Sequence, residues 1–317
     1  MKRIGITGLL ILVSLAGFTQ DTLIKKLDSL SEKADTARQE NIIEPEAYNK
    51  ATKLSFRTYF VLLGSNLKQQ VTGPFNASKK SWIKAGQFAL VTGALFFADE
   101  SIQKQAVKLR NNSGIVRNVS GFVTDFGGLY EGYTLASLAA YGFLFKDEKI
   151  QTTTLLATQA YITGASVMTI VKYLTGRQRP SYYGTDTIEA EPIFHGPFSP
   201  KGRSYNGKHI SSSFPSGHST VAFAAATVFA MEYKDKPWVP ILAYSAASLI
   251  SLSRITENKH WATDVLVGAG LGYLSGRQVV NNYHRYAKLK APNQKSSLRF
   301  NLNLFQGHIL PGFVYTF

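Results

Sequence analysis

The sequence contains no cysteine among its 317 residues. The absence of thiols excludes disulfides, thiolate zinc sites and cysteine nucleophiles. Acidic residues are scarce as well, because 20 Asp and Glu stand against 35 Lys and Arg, which gives a net charge of +15. Such an excess favours an anionic partner, which can be a phosphorylated substrate, a membrane surface or nucleic acid. The sequence has no nucleic-acid-binding motif and no long run of Lys and Arg, so we expect no nucleic-acid partner.

Charged residues of both signs make up only 17 % of the chain, against 44 % hydrophobic residues. This balance predicts a large core or a lipid-facing surface rather than disorder. Long apolar runs are nevertheless missing, since no stretch of 18 residues is free of polar side chains. The segments are therefore marginal in length for membrane spans, which need about 20 apolar residues.

The N-terminus is typical of an export signal. Lys2 and Arg3 precede an apolar run over residues 4–16, and polar sequence resumes at Thr19. This pattern predicts a signal peptide or an uncleaved anchor over residues 1–20, and hence an exported protein. Residues 21–80 are mostly polar and predict a linker or helical arm.

Segments rich in Ala and Gly predict an all-α domain over residues 81–282, because they lack the alternation of strands and are long enough for helices. Six helices are expected, over residues 83–98, 134–145, 152–174, 219–232, 238–252 and 264–280. A long loop over 180–214 separates the third helix from the fourth, and loops of this length are often functional. Residues 283–317 predict a basic linker followed by a β-hairpin, because apolar and polar residues alternate from Leu298 and again to Phe317.

The first candidate site motif ends the third helix with Lys172, Arg179 and Pro180. Lys172 and Arg179 are seven residues apart, so a continuous helix would place them on one face. The simpler interpretation is a helix C-terminus whose cations interact with the helix dipole, followed by a proline that stops the helix.

The second motif, Phe214-Pro215-Ser216-Gly217-His218, precedes the fourth helix. Proline at the first helical position predicts a helix N-terminus with free backbone amides, which can bind phosphate oxygens. Gly217 would let the ligand approach the backbone closely. The alternative is an ordinary capped helix start on which His218 is merely polar.

The third motif places Arg254 ahead of His260 and Asp264. A helix would bring His260 and Asp264 onto one face, where the carboxylate accepts the Nδ1 hydrogen and leaves Nε2 free to attack. A surface His–Asp pair and a zinc site are the alternatives. Zinc is disfavoured because Lys172, Arg179 and Arg254 would repel a cation in the same pocket. We therefore expect no metal and no other cofactor.

Together the three motifs resemble the signature of the superfamily that contains type-2 phosphatidate phosphatases, bacterial acid phosphatases and vanadium haloperoxidases. The signature reads Lys-x6-Arg-Pro, Pro-Ser-Gly-His and Ser-Arg-x5-His-x3-Asp, and all eleven positions are filled in order. The resemblance extends from about residue 83 to residue 280. It implies a six-helix core bundle of the phosphatidate phosphatase type. It also implies a metal-independent phosphatase that hydrolyses lipid phosphates, related phosphomonoesters or diphosphates.

The resemblance further implies roles for two sets of residues. The phosphate oxygens would be bound by Lys172, Arg179, Ser216, Gly217 and Arg254. In the catalytic set, His260 would be the nucleophile, Asp264 would orient it, and His218 would protonate the leaving group. The intermediate would be a phosphohistidine.

Two other functions fit the same residues. A vanadate-dependent haloperoxidase would use the same oxyanion site, because vanadate mimics the geometry of phosphoryl transfer. A non-enzymatic interaction protein of the cell envelope could retain the same scaffold. Release of phosphate from a generic ester separates the phosphatase from both, and halide oxidation with added vanadate identifies the haloperoxidase.

The location of the domain depends on two signals that conflict. Six-span members of this superfamily keep both termini in the cytoplasm, whereas a cleaved signal places residue 21 onward outside. We therefore favour a soluble or peripheral periplasmic domain. The alternative is an integral inner-membrane protein in which residues 1–20 stay cytoplasmic or an additional span lies near 56–63; outer-membrane association is a further option. In each case the active site is expected to face the periplasm and the protein to associate with a membrane.

Overall fold

The computed structural model describes residues 54–182, 184–197, 212–290, 297–305 and 308–316. Within them the chain forms nine α-helices and one pair of strands. The helices are α1 (Phe56–Thr72), α2 (Lys79–Phe96), α3 (Asp99–Asn112), α4 (Gly114–Thr124), α5 (Leu129–Leu144), α6 (Glu148–Thr175), α7 (Gly217–Glu232), α8 (Trp238–Thr256) and α9 (Ala262–Lys290). The expected signal segment over 1–20, and most of the expected arm over 21–80, lie outside the described residues.

The all-α fold that the sequence predicts is confirmed, and each of the six expected helices is present. The described residues contain three more helices, α1, α3 and α4, that the sequence pattern did not predict as separate elements. α1 falls inside the expected linker. α3 is short and strongly polar, and two of its three buried residues, Asp99 and Gln103, are hydrophilic. A search for apolar periodicity misses such a helix, because its inward face makes hydrogen bonds and ion pairs instead of apolar contacts.

Side-chain caps fix where many of these helices begin. In each case an oxygen accepts a hydrogen bond from the backbone amide three residues on, which satisfies a donor that the first turn leaves free. The capping residues are Ser55, Ser78, Ser113, Asp147 and Ser216. α6 ends on Gly176, whose φ of 52° is the left-handed conformation common after helix C-termini.

α7 lies at the centre of the bundle and packs against α6, α8 and, most extensively, α9. The contact with α9 requires glycine at three positions four residues apart, Gly268, Gly272 and Gly276. A Cβ atom on Gly272 would lie 2.8 Å from the backbone nitrogen of Ala224 and 2.9 Å from the Cβ of Phe223. The two helix backbones therefore approach too closely for any other residue, as in small-residue helix contacts of membrane proteins.

Buried amides attach α1 to the bundle. Asn66 is fully buried, and its Nδ2 donates to Oε1 of Gln159 on α6 at 3.0 Å. Its Oδ1 accepts from Nδ2 of Asn282 on α9 at 2.6 Å, and its backbone carbonyl accepts from Nε2 of Gln278 at 2.9 Å. Because buried amides are stable only when they are paired, this network fixes α1 against α6 and α9.

Large apolar side chains cover much of the outer surface of the bundle. On α8 alone, five of them are more than half exposed: Trp238, Ile241, Leu242, Leu249 and Leu252. By length and composition, two described helices, Glu148–Thr175 and Trp238–Thr256, could cross a membrane. Buried core helices of soluble proteins share this length and composition. The exposed side chains add a surface more apolar than water-soluble proteins usually carry.

The C-terminal segment forms the β-hairpin that the alternating pattern predicts. β1 (Ser297–Phe305) and β2 (His308–Thr316) pair antiparallel, with Ser297 opposite Thr316 and Phe305 opposite His308.

Candidate active site

The three sequence motifs meet at one end of the bundle, where α6 and α8 end and α7 and α9 begin. Two hydrogen bonds tie these helix ends together. Nζ of Lys172 donates to the carbonyl of Pro215 at 2.6 Å, and the amide of Ser216 donates to the carbonyl of Asp264 at 2.9 Å. Residues that are distant in sequence therefore share one site.

The first motif does not lie on one continuous helix, contrary to the geometry considered from its spacing. α6 ends at Thr175, and Gly176 turns the chain so that Arg179 follows in a non-helical segment. Lys172 and Arg179 are instead brought together by Ser212. Nζ of Lys172 donates to its carbonyl at 2.6 Å, and Nε of Arg179 donates to its hydroxyl at 3.3 Å.

Arg254 supplies a third cation from the last turn of α8. The residue is buried, and one guanidinium nitrogen donates to the hydroxyl of Thr124 at 2.6 Å. Thr124 is the final residue of α4, which the sequence analysis did not predict. The guanidinium is therefore held by a residue that no motif contains.

The second motif forms the start of α7, which begins at Gly217 rather than at Pro215 as the sequence suggested. Ser216 is the N-cap and is fully buried. Its amide is used by Asp264 and its hydroxyl oxygen accepts from the amide of Ser219, so its hydroxyl hydrogen and the amides of Gly217 and His218 are the donors left for an anion. A Cβ atom on Gly217 would lie 3.3 Å from Cε of Met168, which is tight for any side chain.

His218 lies in the first turn of α7, in a partly buried and strongly positive environment. Burial, together with the charges of Arg254, Arg179 and Lys172, lowers the pKa of this imidazole to about 3. The backbone at Gly128 passes close to this imidazole, since a Cβ atom on Gly128 would lie 3.4 Å from Nε2 of His218. The absence of a side chain at Gly128 therefore avoids a tight contact with this nitrogen.

His260 and Asp264 lie together, but not on one helical face as their spacing suggested. His260 precedes α9, whereas Asp264 is in its first turn, and Nδ1 of His260 is 3.4 Å from Oδ2 of Asp264. That separation is longer than a normal hydrogen bond. His260 is only 1 % exposed, and burial lowers its pKa well below the usual value, so the imidazole is neutral and able to act as a nucleophile.

Asp264 is fully buried and its carboxylate is held on both oxygens. Oδ2 accepts from the hydroxyl of Ser213 at 2.5 Å and from the amide of Trp261 at 2.9 Å, while Oδ1 accepts from Arg177 at 2.6 Å. Burial alone would raise the pKa of Asp264, but the charge of Arg177 and the hydrogen bonds hold it well below its usual range. The carboxylate therefore stays ionised beside His260.

The sequence analysis did not identify Arg177, Asp99 or Ser213 as site residues. Arg177 lies inside the first motif, between Lys172 and Arg179. This position was the signal in the sequence that could have identified it. Asp99 gave no signal, because it lies more than 70 residues before the first motif. No group of three or more His, Cys, Asp or Glu side chains that could hold a metal ion occurs in the described part of the chain.

Residues 150–287 match the family model described as the PAP2 superfamily. The part of the chain that carries the three motifs is therefore similar to the PAP2 superfamily. The match spans α6 to α9 and includes every residue of the three motifs. It leaves out α1 to α5 and the hairpin.

Among curated proteins, a lipid A 1-phosphatase of Porphyromonas gingivalis is 51 % identical over 65 residues. That stretch is 20 % of this chain and spans 15 % of the relative's length. Among solved structures, a transmembrane PAP2-type phosphatidylglycerolphosphate phosphatase from Bacillus subtilis is 23 % identical, with a TM-score of 0.44; the match covers 66 % of this chain and 98 % of that one. The structure of Aquifex aeolicus LpxE is 26 % identical, with a TM-score of 0.38, covering 56 % of this chain and 93 % of that one.

Proposed function

We propose that the chain is a metal-independent phosphatase that hydrolyses phosphate esters of lipids. The observation that carries the proposal is the convergence of Lys172, Arg179 and Arg254 on the helix end that bears His218, beside the buried pair of His260 and Asp264. Three fixed cations and the free amides of a helix start suit an anion with several oxygens. Phosphoryl transfer spreads negative charge over such oxygens, and groups already in place stabilise it without rearrangement.

The two imidazoles then have different tasks. Nε2 of His260 attacks phosphorus while Asp264 holds the proton on Nδ1, and the phosphorus–oxygen bond to the leaving group breaks. His218 donates a proton to the departing oxygen. In the second step His218 removes a proton from water, the water oxygen attacks phosphorus, the phosphorus–nitrogen bond breaks, and inorganic phosphate is released.

A lipid substrate is favoured by two observations of different kinds. The stretch similar to a lipid A 1-phosphatase supports a phosphorylated lipid as the substrate. The apolar outer surface of α8 supports a protein that works at a membrane, where such substrates reside. We also propose that the site faces the periplasm, in keeping with the export signal expected at the N-terminus. The exposed apolar side chains favour an integral bundle over the peripheral domain that the sequence alone suggested.

The test is release of inorganic phosphate by the purified protein from a panel of lipid and soluble phosphates. We expect activity on lipid phosphates that survives EDTA and is inhibited by vanadate, which would occupy the site beside His260. His260→Ala should abolish turnover, whereas His195→Ala, which changes an exposed histidine, should leave it unchanged. Loss of activity on chelation, with recovery on adding a divalent metal, would contradict the mechanism, and full activity of His260→Ala would eliminate the assignment.

A further inference from the structure

Arg177 is a completely buried charged side chain close to the candidate site. It is fully buried, and its guanidinium carbon lies 5.2 Å, 4.9 Å and 5.3 Å from the ring centres of Phe96, Phe194 and Trp261. Cations are stabilised over aromatic faces at such distances. The guanidinium is thereby confined in one place and has no exposure to solvent.

The polar contacts of Arg177 join two carboxylates. NH1 donates to Oδ1 of Asp264 at 2.6 Å, and NH2 donates to Oδ2 of Asp99 at 2.7 Å. All three side chains are completely buried. A planar guanidinium can make both bonds at fixed angles, which a flexible ammonium cannot do.

Thr263 closes this arrangement into a ring. Oδ1 of Asp99 accepts from the amide of Thr263 at 3.0 Å, and its Oδ2 accepts from the Thr263 hydroxyl at 2.5 Å. NH1 of Arg177 also donates to that hydroxyl at 2.6 Å. Asp99, at the start of α3, is therefore bonded to the first turn of α9 both directly and through Arg177.

As a consequence, the two carboxylate oxygens of Asp264 have different partners. Arg177 occupies Oδ1, so the carboxylate cannot rotate to present that oxygen elsewhere, and Oδ2 is left facing Nδ1 of His260. Ser213 and Trp261 hold the same Oδ2 from other directions. The rotation and the charge of Asp264 thus depend on a cation that does not reach the substrate site itself.

We propose that Arg177, held in place by Asp99, is a positioning residue that keeps Asp264 ionised and turned toward His260. This inference rests on the proposed function, in which His260 is the nucleophile and Asp264 orients it. Among the described residues, the side chain of Arg177 contacts Asp99, Asp264, Thr263 and aromatic rings, so its effect on His260 is transmitted through Asp264. A purely structural role would instead require only that the buried charges be balanced.

The decisive variant is the double substitution Arg177→Gln with Asp99→Asn, which removes one buried charge of each sign and keeps polar groups of similar size. Balanced removal of a buried ion pair is often tolerated by the fold. We expect a folded protein whose kcat is lower by roughly 10- to 100-fold, the range seen when a group that orients a catalytic side chain is removed. KM should be unchanged, because the phosphate-binding cations remain.

The pH dependence of kcat/KM distinguishes a positioning role of Arg177 from a purely structural one. Without the nearby cation, the pKa of Asp264 rises, so the carboxylate becomes protonated at a higher pH. The acid limb of kcat/KM should therefore move upward by about 1 pH unit or more. Arg177→Lys, which keeps a charge, should restore the position of the limb. The matched control is Lys149→Gln with Asp235→Asn, an ion pair beyond the opposite end of α7, which should change neither kcat nor the limb.

An activity-independent readout is the tautomer of His260, measured by 15N NMR of histidine-labelled protein and assigned by the signal lost in His260→Gln. We expect the proton on Nδ1 in the wild type and a mixture with the Nε2 form in the double variant. Unchanged kcat, acid limb and tautomer in that variant would overturn the positioning role while leaving the phosphatase proposal intact. A wild type that releases no phosphate from any ester would overturn the proposed function, and the tautomer would still decide the role of Arg177.

Discussion

Individual residues in this site owe their properties to charges on other helices. His218 is the clearest case, because it has no acidic partner among the residues that the structure describes and its pKa is affected by three nearby cations. Burial and those cations lower its pKa to about 3, so it is neutral in the empty protein at any physiological pH. A general acid must carry a proton when the leaving group departs. Binding of the substrate must therefore raise the pKa of His218 enough for the imidazole to carry a proton.

Binding of an anion should raise the pKa of His218. A bound phosphate or vanadate places negative charge against Lys172, Arg179 and Arg254, which cancels their repulsion of a proton, and the anion itself favours the imidazolium. We expect the His218 signal in an NMR titration to show no protonation above about pH 4 in the free protein, in line with that pKa of about 3. With saturating vanadate, protonation should occur at least about 1 pH unit higher, the smallest shift usual for a nearby opposite charge. The signal is assigned with His218→Gln, and an unaltered titration in the presence of bound vanadate would argue against the acid role.

The sequence predicted which residues lie together at this end of the bundle, but not the geometry in which they meet. Lys172 and Arg179 do not share the helical face that a continuous helix would have given them, because Gly176 ends the helix between them, as the simpler interpretation of the motif proposed. Spacing along a chain describes geometry only while one element continues. Arg177 was overlooked although it lies inside the first motif, because its contact with Asp99 joins residues that are far apart in sequence, and such a contact leaves no local pattern.

At the scale of helices, apolar periodicity missed α1 and α3, because the residues that these two helices bury are mostly polar. α1 is attached through Asn66 and its amide partners, and α3 through Asp99. Neither contributes the apolar stripe that periodicity detects. The glycines of α9 were visible as small residues suited to close packing, but which of them face α7 depends on the rotation of the helix.

Gly272→Ala should separate α7 from α9 and disturb the site at their N-terminal ends. The added Cβ atom would lie within 3 Å of the backbone nitrogen of Ala224, and backbone cannot move aside as a flexible side chain can. Overpacking of this kind costs about 1–3 kcal/mol. We expect a melting temperature several degrees lower and reduced phosphatase activity, measured by thermal unfolding in detergent and by phosphate release.

The control for Gly272→Ala is Gly93→Ala on α2, where the added Cβ atom meets nothing within 4 Å. Alanine is the better helix former, so this variant should be neutral or more stable by up to about 1 kcal/mol. Equal stability of the two variants would show that the close contact between α7 and α9 is not needed.

At the scale of the whole molecule, the question is how the bundle lies relative to a membrane. The candidate site is at one end of α7, which is 16 residues long. At 1.5 Å per residue the helix spans about 24 Å, which is most of the hydrocarbon layer of about 30 Å. Exposed apolar side chains such as Ile241 and Leu249 lie on α8 between two polar ends. An integral bundle would therefore place the site at one surface and the turn after α7 at the other.

The lack of native cysteine allows this arrangement to be tested directly. Glu189→Cys places one thiol on the exposed loop between α6 and α7, which is tied to the site end because Asn258 donates to the carbonyl of neighbouring Thr187 at 3.1 Å. Lys234→Cys places one thiol on the exposed turn beyond the other end of α7. In intact cells treated with a maleimide that cannot cross the inner membrane, we expect only Glu189→Cys to be labelled. Both should be labelled after solubilisation. Labelling of both in intact cells would indicate a peripheral periplasmic domain, and labelling of Lys234→Cys alone would place the site in the cytoplasm.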